Sequence, residues 1–139
     1  MGPYAQYQLR LTPFATPLAL QALGDKLSTY SFVAPTDLLR VVLTVTTAIT
    51  GVAAVLAIDK DPTYSAGTGR VEVVRLTLPV GTAIGKVVYS LPVKHRFVPG
   101  DGLITELITA STAGAAHVDL WYEQAWEQPL NLTSGVQSV

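Results

Sequence analysis

The sequence predicts an all-β domain, an antiparallel β-sandwich or jelly-roll-like barrel of about eight short strands with at most one short helix. Three observations carry this expectation. Apolar residues recur with a period of two or in short β-branched runs, and turns rich in Gly, Pro and Thr separate those runs. No apolar pattern of helical period is long enough to build alternating βαβ units. A length of 139 residues fits one domain, divided here into an N-terminal strand and arm (1–27), a β core (28–127) and a C-terminal tail (128–139).

Taken in order, Ala5, Tyr7, Leu9 and Leu11 share one side of a first strand, and Gln6, Gln8 and Arg10 share the other. Pro13 and Pro17 then interrupt pairing. Thr16 could cap a short helix with Pro17 in its first turn and Gly24 beyond its end, or the segment could be an extended arm lying on a neighbouring subunit. A strand from Leu27 to Val33 ends at Pro35. The next, from Asp37, sets Leu39, Val41, Leu43, Val45 and Ile49 on a core face against Arg40, Thr44 and Thr46. The uncharged run from Val41 to Ile58 approaches membrane-spanning length, but its threonines and the Thr50-Gly51 turn signal divide it into two strands, so no membrane span is expected.

After the polar loop from Asp59 to Gly69, the strand Arg70–Leu78 changes parity between Val71/Val73 and Val74/Leu76/Leu78. A β-bulge near Val73-Val74 would reconcile the halves, and coverage on both sides would also explain them. Val87, Tyr89 and Leu91 mark a further strand closed by Pro92. Pro99-Gly100-Asp101-Gly102 starts a run that reverses near Ala113-Gly114-Ala115-Ala116 and reads as a β-hairpin. Its returning arm alternates Val118, Leu120 and Tyr122 with Asp119, Trp121 and Glu123. Its outgoing arm opposes Leu103 and Leu107 to Ile104 and Ile108 about Glu106, the pattern of an internal strand pair or of a contact with another chain. After Glu127 the tail shows little periodicity, which fits disorder or ordering by a partner.

Charged residues make up 14% of the chain against roughly 25% in typical soluble domains, while 49% are hydrophobic. A composition of this kind predicts either burial of a weakly hydrated surface in a lasting assembly or a core rich in Ala, Val and Thr. A formal net charge of -1 with scattered basic residues argues against nucleic acid as a partner. The absence of cysteine excludes disulfides and thiolate metal sites. The start, Met1-Gly2-Pro3-Tyr4, lacks the pattern of a secretory signal, so export by that route is not expected.

No motif points to chemistry, and no cofactor, metal or catalytic residue is expected. His95 and His117 have no further soft ligands beside them. Asp59-Lys60-Asp61-Pro62 breaks off the spacing of a calcium loop, and Gly67 with Gly69 lacks the rest of a dinucleotide fingerprint. Asn131-Leu132-Thr133 matches a glycosylation acceptor, relevant only to a secreted protein. Glu106, Glu123 and Glu127 could supply a carboxylate pair, which leaves a small β-sandwich glycosidase as a third-ranked reading. Trp121 and Trp126, with Tyr122 between them, are the main candidates for recognition, since large rings anchor interfaces.

The succession Leu78-Pro79-Val80-Gly81-Thr82-Ala83-Ile84-Gly85-Lys86-Val87-Val88-Tyr89, then Phe97-Val98-Pro99-Gly100-Asp101, then Glu106-Leu107-Ile108-Thr109-Ala110, resembles the decoration, or cementing, proteins of tailed bacteriophage capsids. The resemblance spans roughly the C-terminal half and rests on turn and strand phrasing. It implies a structural protein, commonly a homotrimer, on the outer surface of a virion, clamping neighbouring major capsid protein subunits and needing no enzyme activity. The expected contact residues are Tyr4, Tyr7, Leu9, Leu11, Ile104, Ile108, Trp121 and Trp126, chosen from alternation and aromatic character. The competing class is a carbohydrate-binding β-sandwich in which the tryptophans and Tyr122 stack on sugar rings.

Overall fold

The computed structural model describes residues 4–12, 16–32, 34–62 and 69–125. They form ten strands: β1 (Tyr4–Arg10), β2 (Leu18–Ala19), β3 (Gly24–Ser31), β4 (Thr36–Thr50), β5 (Ala54–Asp61), β6 (Val71–Leu78), β7 (Val87–Tyr89), β8 (His95–Phe97), β9 (Gly102–Thr109) and β10 (Ala113–Ala125). Two antiparallel sheets result. One runs β1-β10-β4-β7, with β2 beside β10 and β8 beside β4; the other runs β3-β9-β5-β6. Their facing sides bury one apolar cluster, with Leu38, Val41, Leu43, Val118 and Leu120 from the first sheet against Leu56, Ile58, Leu76, Leu78, Leu103 and Leu107 from the second. The architecture is therefore a sandwich.

Period-two alternation governs the first strand as expected, for Gln6, Gln8 and Arg10 are exposed while Tyr7, Leu9 and Leu11 are half-buried. Among the described residues no helix follows it. Residues Leu18 to Leu20 instead alternate buried, exposed, buried, and β2 pairs with Ala115 and Ala116 of β10. The Leu20 N–H donates to the Gly114 carbonyl (3.0 Å), and the Leu20 carbonyl accepts from the Ser111 N–H (2.8 Å). Burial of Leu18 and Leu20 with these main-chain bonds outweighs the capping signal, and the segment lies on its own subunit rather than on a neighbour.

Two bulges set which residues reach the core. In β6, Ile58 faces Val74 and Asp59 faces Glu72, so Val73 is the extra residue; the bulge expected from the parity change is present. It buries Val74, Leu76 and Leu78 and leaves Val71 exposed. In β4, Arg40 faces Trp121 and Leu38 faces Tyr122, which leaves Leu39 unpaired. Leu38 replaces Leu39 in the core for that reason, a correction to strict alternation from Asp37.

The uncharged run does divide at Thr50-Gly51, but β4 and β5 belong to different sheets. The second sharp reversal behaves in the same way. β9 and β10 do not pair, so the expected hairpin is corrected to a crossing between sheets in which β9 lies between β3 and β5 and β10 lies between β1 and β4. Covering on both flanks and both faces accounts for the apolar residues on each side of β9. The crossings meet: the Thr112 N–H donates to the Thr50 carbonyl (2.9 Å), and Gly51 sits against the Thr112 side chain at φ 78°.

A Cβ on Gly51 would lie 2.6 Å from the Thr112 Cβ in a backbone region that L residues avoid. Gly51→Ala is expected to lower unfolding stability by about 1–3 kcal/mol, measured by urea denaturation. The double variant with Thr112→Gly should recover part of that loss, because only the contact and not the φ strain is relieved.

Candidate assembly surface

The register of the six-stranded sheet places Gln8, Trp121 and Arg40 side by side on its outer face, because residues paired across neighbouring strands point the same way. Val42 faces Tyr89 and Thr44 faces Val87 one strand further on. Tyr89 and Trp121 meet edge to face, with ring centroids 6.4 Å apart at 88°, and the Arg40 guanidinium carbon lies 5.7 Å from the Tyr89 centroid. Trp121 remains 38% exposed and Tyr89 53%. Gln6, Tyr7, Gln8, Leu39, Trp121 and Tyr122 line a groove of about 210 Å³ next to this pair.

Several charges around the face are paired within the chain. Arg10 grips Asp119 through two nitrogens at 2.8 and 3.1 Å, and Arg96 grips Asp37 at 2.6 and 3.1 Å. Glu123 accepts from the Gln6 amide (3.4 Å) and lies 3.9 Å from the Lys94 ammonium. Hydrogen bonds from Arg96 hold the Asp37 carboxyl below the usual aspartate range.

The edge next to this face is the most apolar exposed strip of the described residues. Val80, Ile84 (70%), Val87, Tyr89 and Leu91 (82%) are all exposed along the segment that borders β4. Sequence reasoning did not select Val80, Ile84, Val87, Tyr89 or Leu91 as contact residues. Their signal was the alternation of Val87, Tyr89 and Leu91, which marks a face without saying whether it is inner or outer.

The residues expected at a contact fall in several places. Trp121 is exposed as foreseen. Tyr7 is half-buried and stacks on Tyr122 (5.4 Å), and Leu9 is half-buried opposite Leu120. Leu11 packs against the core. Ile104 is 4% exposed opposite Asp59, and the protomer's own packing leaves it no contact surface; Ile108 is half-buried. Tyr4 pairs with Ala125 in the ladder, and Trp126 lies outside the described residues.

The four-stranded sheet carries an ionic cluster on its outer face. The Arg70 guanidinium bonds Asp25 (2.9 Å), Asp59 (3.0 Å) and Glu106 (3.4 Å), tying residues from β3, β5 and β9. Hydrogen bonds from Arg70 hold Asp25 below its ordinary range. A hydrogen bond shared with Asp59, reinforced by burial, raises Glu106 above the ordinary 4.5. Glu106 and Glu123 belong to different sheets, so the register does not make a carboxylate pair of them. His117 Nδ1 contacts the Thr12 hydroxyl (2.7 Å), and His95 packs edge-on to Phe97. Among the described residues no group of three His, Asp or Glu side chains is arranged to hold a metal ion.

No family model matches the chain. No curated protein matches it. A solved structure titled "Structure of infectious bursal disease virus Gx strain" superposes with a TM-score of 0.42 at 13% identity, over 88% of this chain and 33% of the other. This chain thus spans about a third of that protein's length, and so slight a superposition carries no argument about it.

Arg70→Met leaves three carboxyl groups without their cation. The expected loss is about 2 kcal/mol at neutral pH, between the ~0.5 kcal/mol of an exposed pair and the ~4 kcal/mol of a buried one, and it should shrink in mild acid. Glu106 in the folded protein binds a proton more tightly than in the unfolded chain, so its stabilising contribution is complete below 4.5 and disappears as pH rises through its raised folded value. Melting temperature should therefore decline over that interval toward neutrality, and Glu106→Gln should flatten the decline.

Proposed function

We propose that this protein is a structural virion component that docks on the outer surface of an assembled capsid and reinforces contacts between major capsid subunits. One observation carries the reading: the outer face of the six-stranded sheet and its adjoining edge expose aromatic and aliphatic side chains, while Arg10, Arg96 and Glu123 around the face are engaged by partners within the chain and Arg40 lies against the Tyr89 ring. Such a surface gains little from a charged ligand and much from burial against protein, where a few rings contribute most of the affinity. Self-association belongs to the same reading; the resemblance to decoration proteins implies three copies about a local symmetry axis, and a two-fold pair of copies is the alternative arrangement. Binding only to the assembled lattice would stabilise that lattice by mass action, and several copies acting together would multiply the effect.

The groove beside Trp121 favours a second reading as a neutral-saccharide module, with the indole as a stacking platform and the Gln6 and Gln8 amides as hydrogen-bonding partners. Saturable binding of a defined glycan by the isolated protein, abolished by Trp121→Ala, would decide for it.

For the capsid reading, occupancy on purified shells is the measurement. Trp121→Ala or removal of residues 1–10 should weaken binding by about 30-fold, the equivalent of ~2 kcal/mol. Raising salt from about 0.1 to about 1 M, which shortens the screening length from roughly 10 to 3 Å, should change occupancy by less than about two-fold. Unchanged occupancy in both variants would refute the assignment.

A further inference from the structure

We propose that the free edge of β7 joins two copies of this chain through an antiparallel strand pair centred on Tyr89, a contact that deepens the assembly reading but forms without the shell. The backbone directions suit a strand as the occupant. The Ser90 N–H donates to the Val41 carbonyl (2.8 Å), and the Lys86 carbonyl accepts from the Val45 N–H (2.9 Å). Even-numbered residues of this segment therefore turn their main-chain groups toward β4, and the alternation of an antiparallel ladder aims the N–H and C=O groups of Val87 and Tyr89 the other way. β7 ends its sheet, so among the described residues no strand meets those groups.

The long edge strands carry the charges that keep sheet edges apart, Arg10 on β1, Asp25 and Lys26 on β3, Glu72 and Arg75 on β6, whereas β7 is a short edge of three residues. The edge from Val87 to Leu91 carries none and is bounded by Lys86 and Pro92. An unprotected edge beside exposed Val87, Tyr89 and Leu91 is what a natural sheet avoids unless it is paired.

A second copy satisfies this edge because the segment is self-complementary. Antiparallel pairing about Tyr89 sets that residue opposite its own symmetry mate, where both exchange N–H to C=O bonds, and sets Val87 opposite Leu91 of the partner subunit. Lys86 then meets Pro92 of the partner subunit rather than another cation. The two Arg40 strands stand three strand spacings apart, roughly 14 Å, beyond the screening length of about 8 Å at physiological salt. Pairing β1 against β7 of another copy would instead set Gln6, Gln8 and Arg10 beside the apolar strip and would propagate head to tail.

The test is the mass of the purified full chain in solution, without shells, by native mass spectrometry and light scattering. An even number of copies is expected. Tyr89→Pro deletes the outward N–H and the exposed ring but no main-chain bond to β4, and should halve the mass with a smaller fall in melting temperature than Ser90→Pro, which removes a bond to β4. Tyr89→Lys, which keeps every backbone donor but places a charge at the two-fold axis, should raise the dissociation constant at least 30-fold. A monomer, an odd-numbered assembly, or an even one indifferent to both Tyr89 variants would overturn the proposal. Loss of shell binding with the dimer intact would count against the capsid reading alone.

Discussion

The meeting of two chain crossings at one end of the sandwich is the constraint on which the rest depends. β4 passes into β5 at Gly51 and β9 passes into β10 at Thr112, and the crossings touch through the Thr112 N–H bond to the Thr50 carbonyl. Because β4 pairs with β10 and β5 with β9, this contact brings the two central ladders into superposition. Leu43, Val118 and Leu120 of one ladder and Leu56, Ile58 and Leu107 of the other then belong to one apolar core. Only a residue without a Cβ can sit so close to Thr112 at positive φ.

Once the central ladders are set, the remaining strands have little choice. β1 and β2 share the outer flank of β10, and β7 and β8 share the outer flank of β4. That placement gives β7 one partner among the described strands. It also brings Tyr89 within reach of Trp121 across the one intervening strand, β4, so an aromatic pair forms from residues 32 positions apart. The few charged groups are drawn into local pairs, Arg10 with Asp119, Arg96 with Asp37, and Arg70 with three carboxylates. A chain with so few ions that uses them on itself leaves its exterior to be described by shape and apolar area.

Fold class, the positions of the longer strands and the bulge at Val73 were legible because each is a local property of alternation and turn chemistry, whereas the short β2 and β8 were not. So was the outward position of Trp121, which follows from its parity against Val118, Leu120 and Tyr122. The helix at Thr16 was misread because a capping residue and a proline describe only local preference, whereas Leu18 and Leu20 are held by β10 nearly a hundred residues away. Ile104 looked like contact surface because an apolar residue on the second face of a strand is the same in sequence whether another chain or the chain's own fold covers it.

Residue identities alone decided that this chain is a small all-β domain, sparsely charged, with Trp121 turned away from the core. Tertiary structure alone decided which strands are neighbours. A tight reversal can close a hairpin or carry the chain from one sheet to the other, and the local dihedral preferences of Gly51 or of the Ala113–Ala116 turn are compatible with either. The choice is made by which apolar faces can be buried together. The exposed edge at Val87 to Leu91 exists only as a result of that choice.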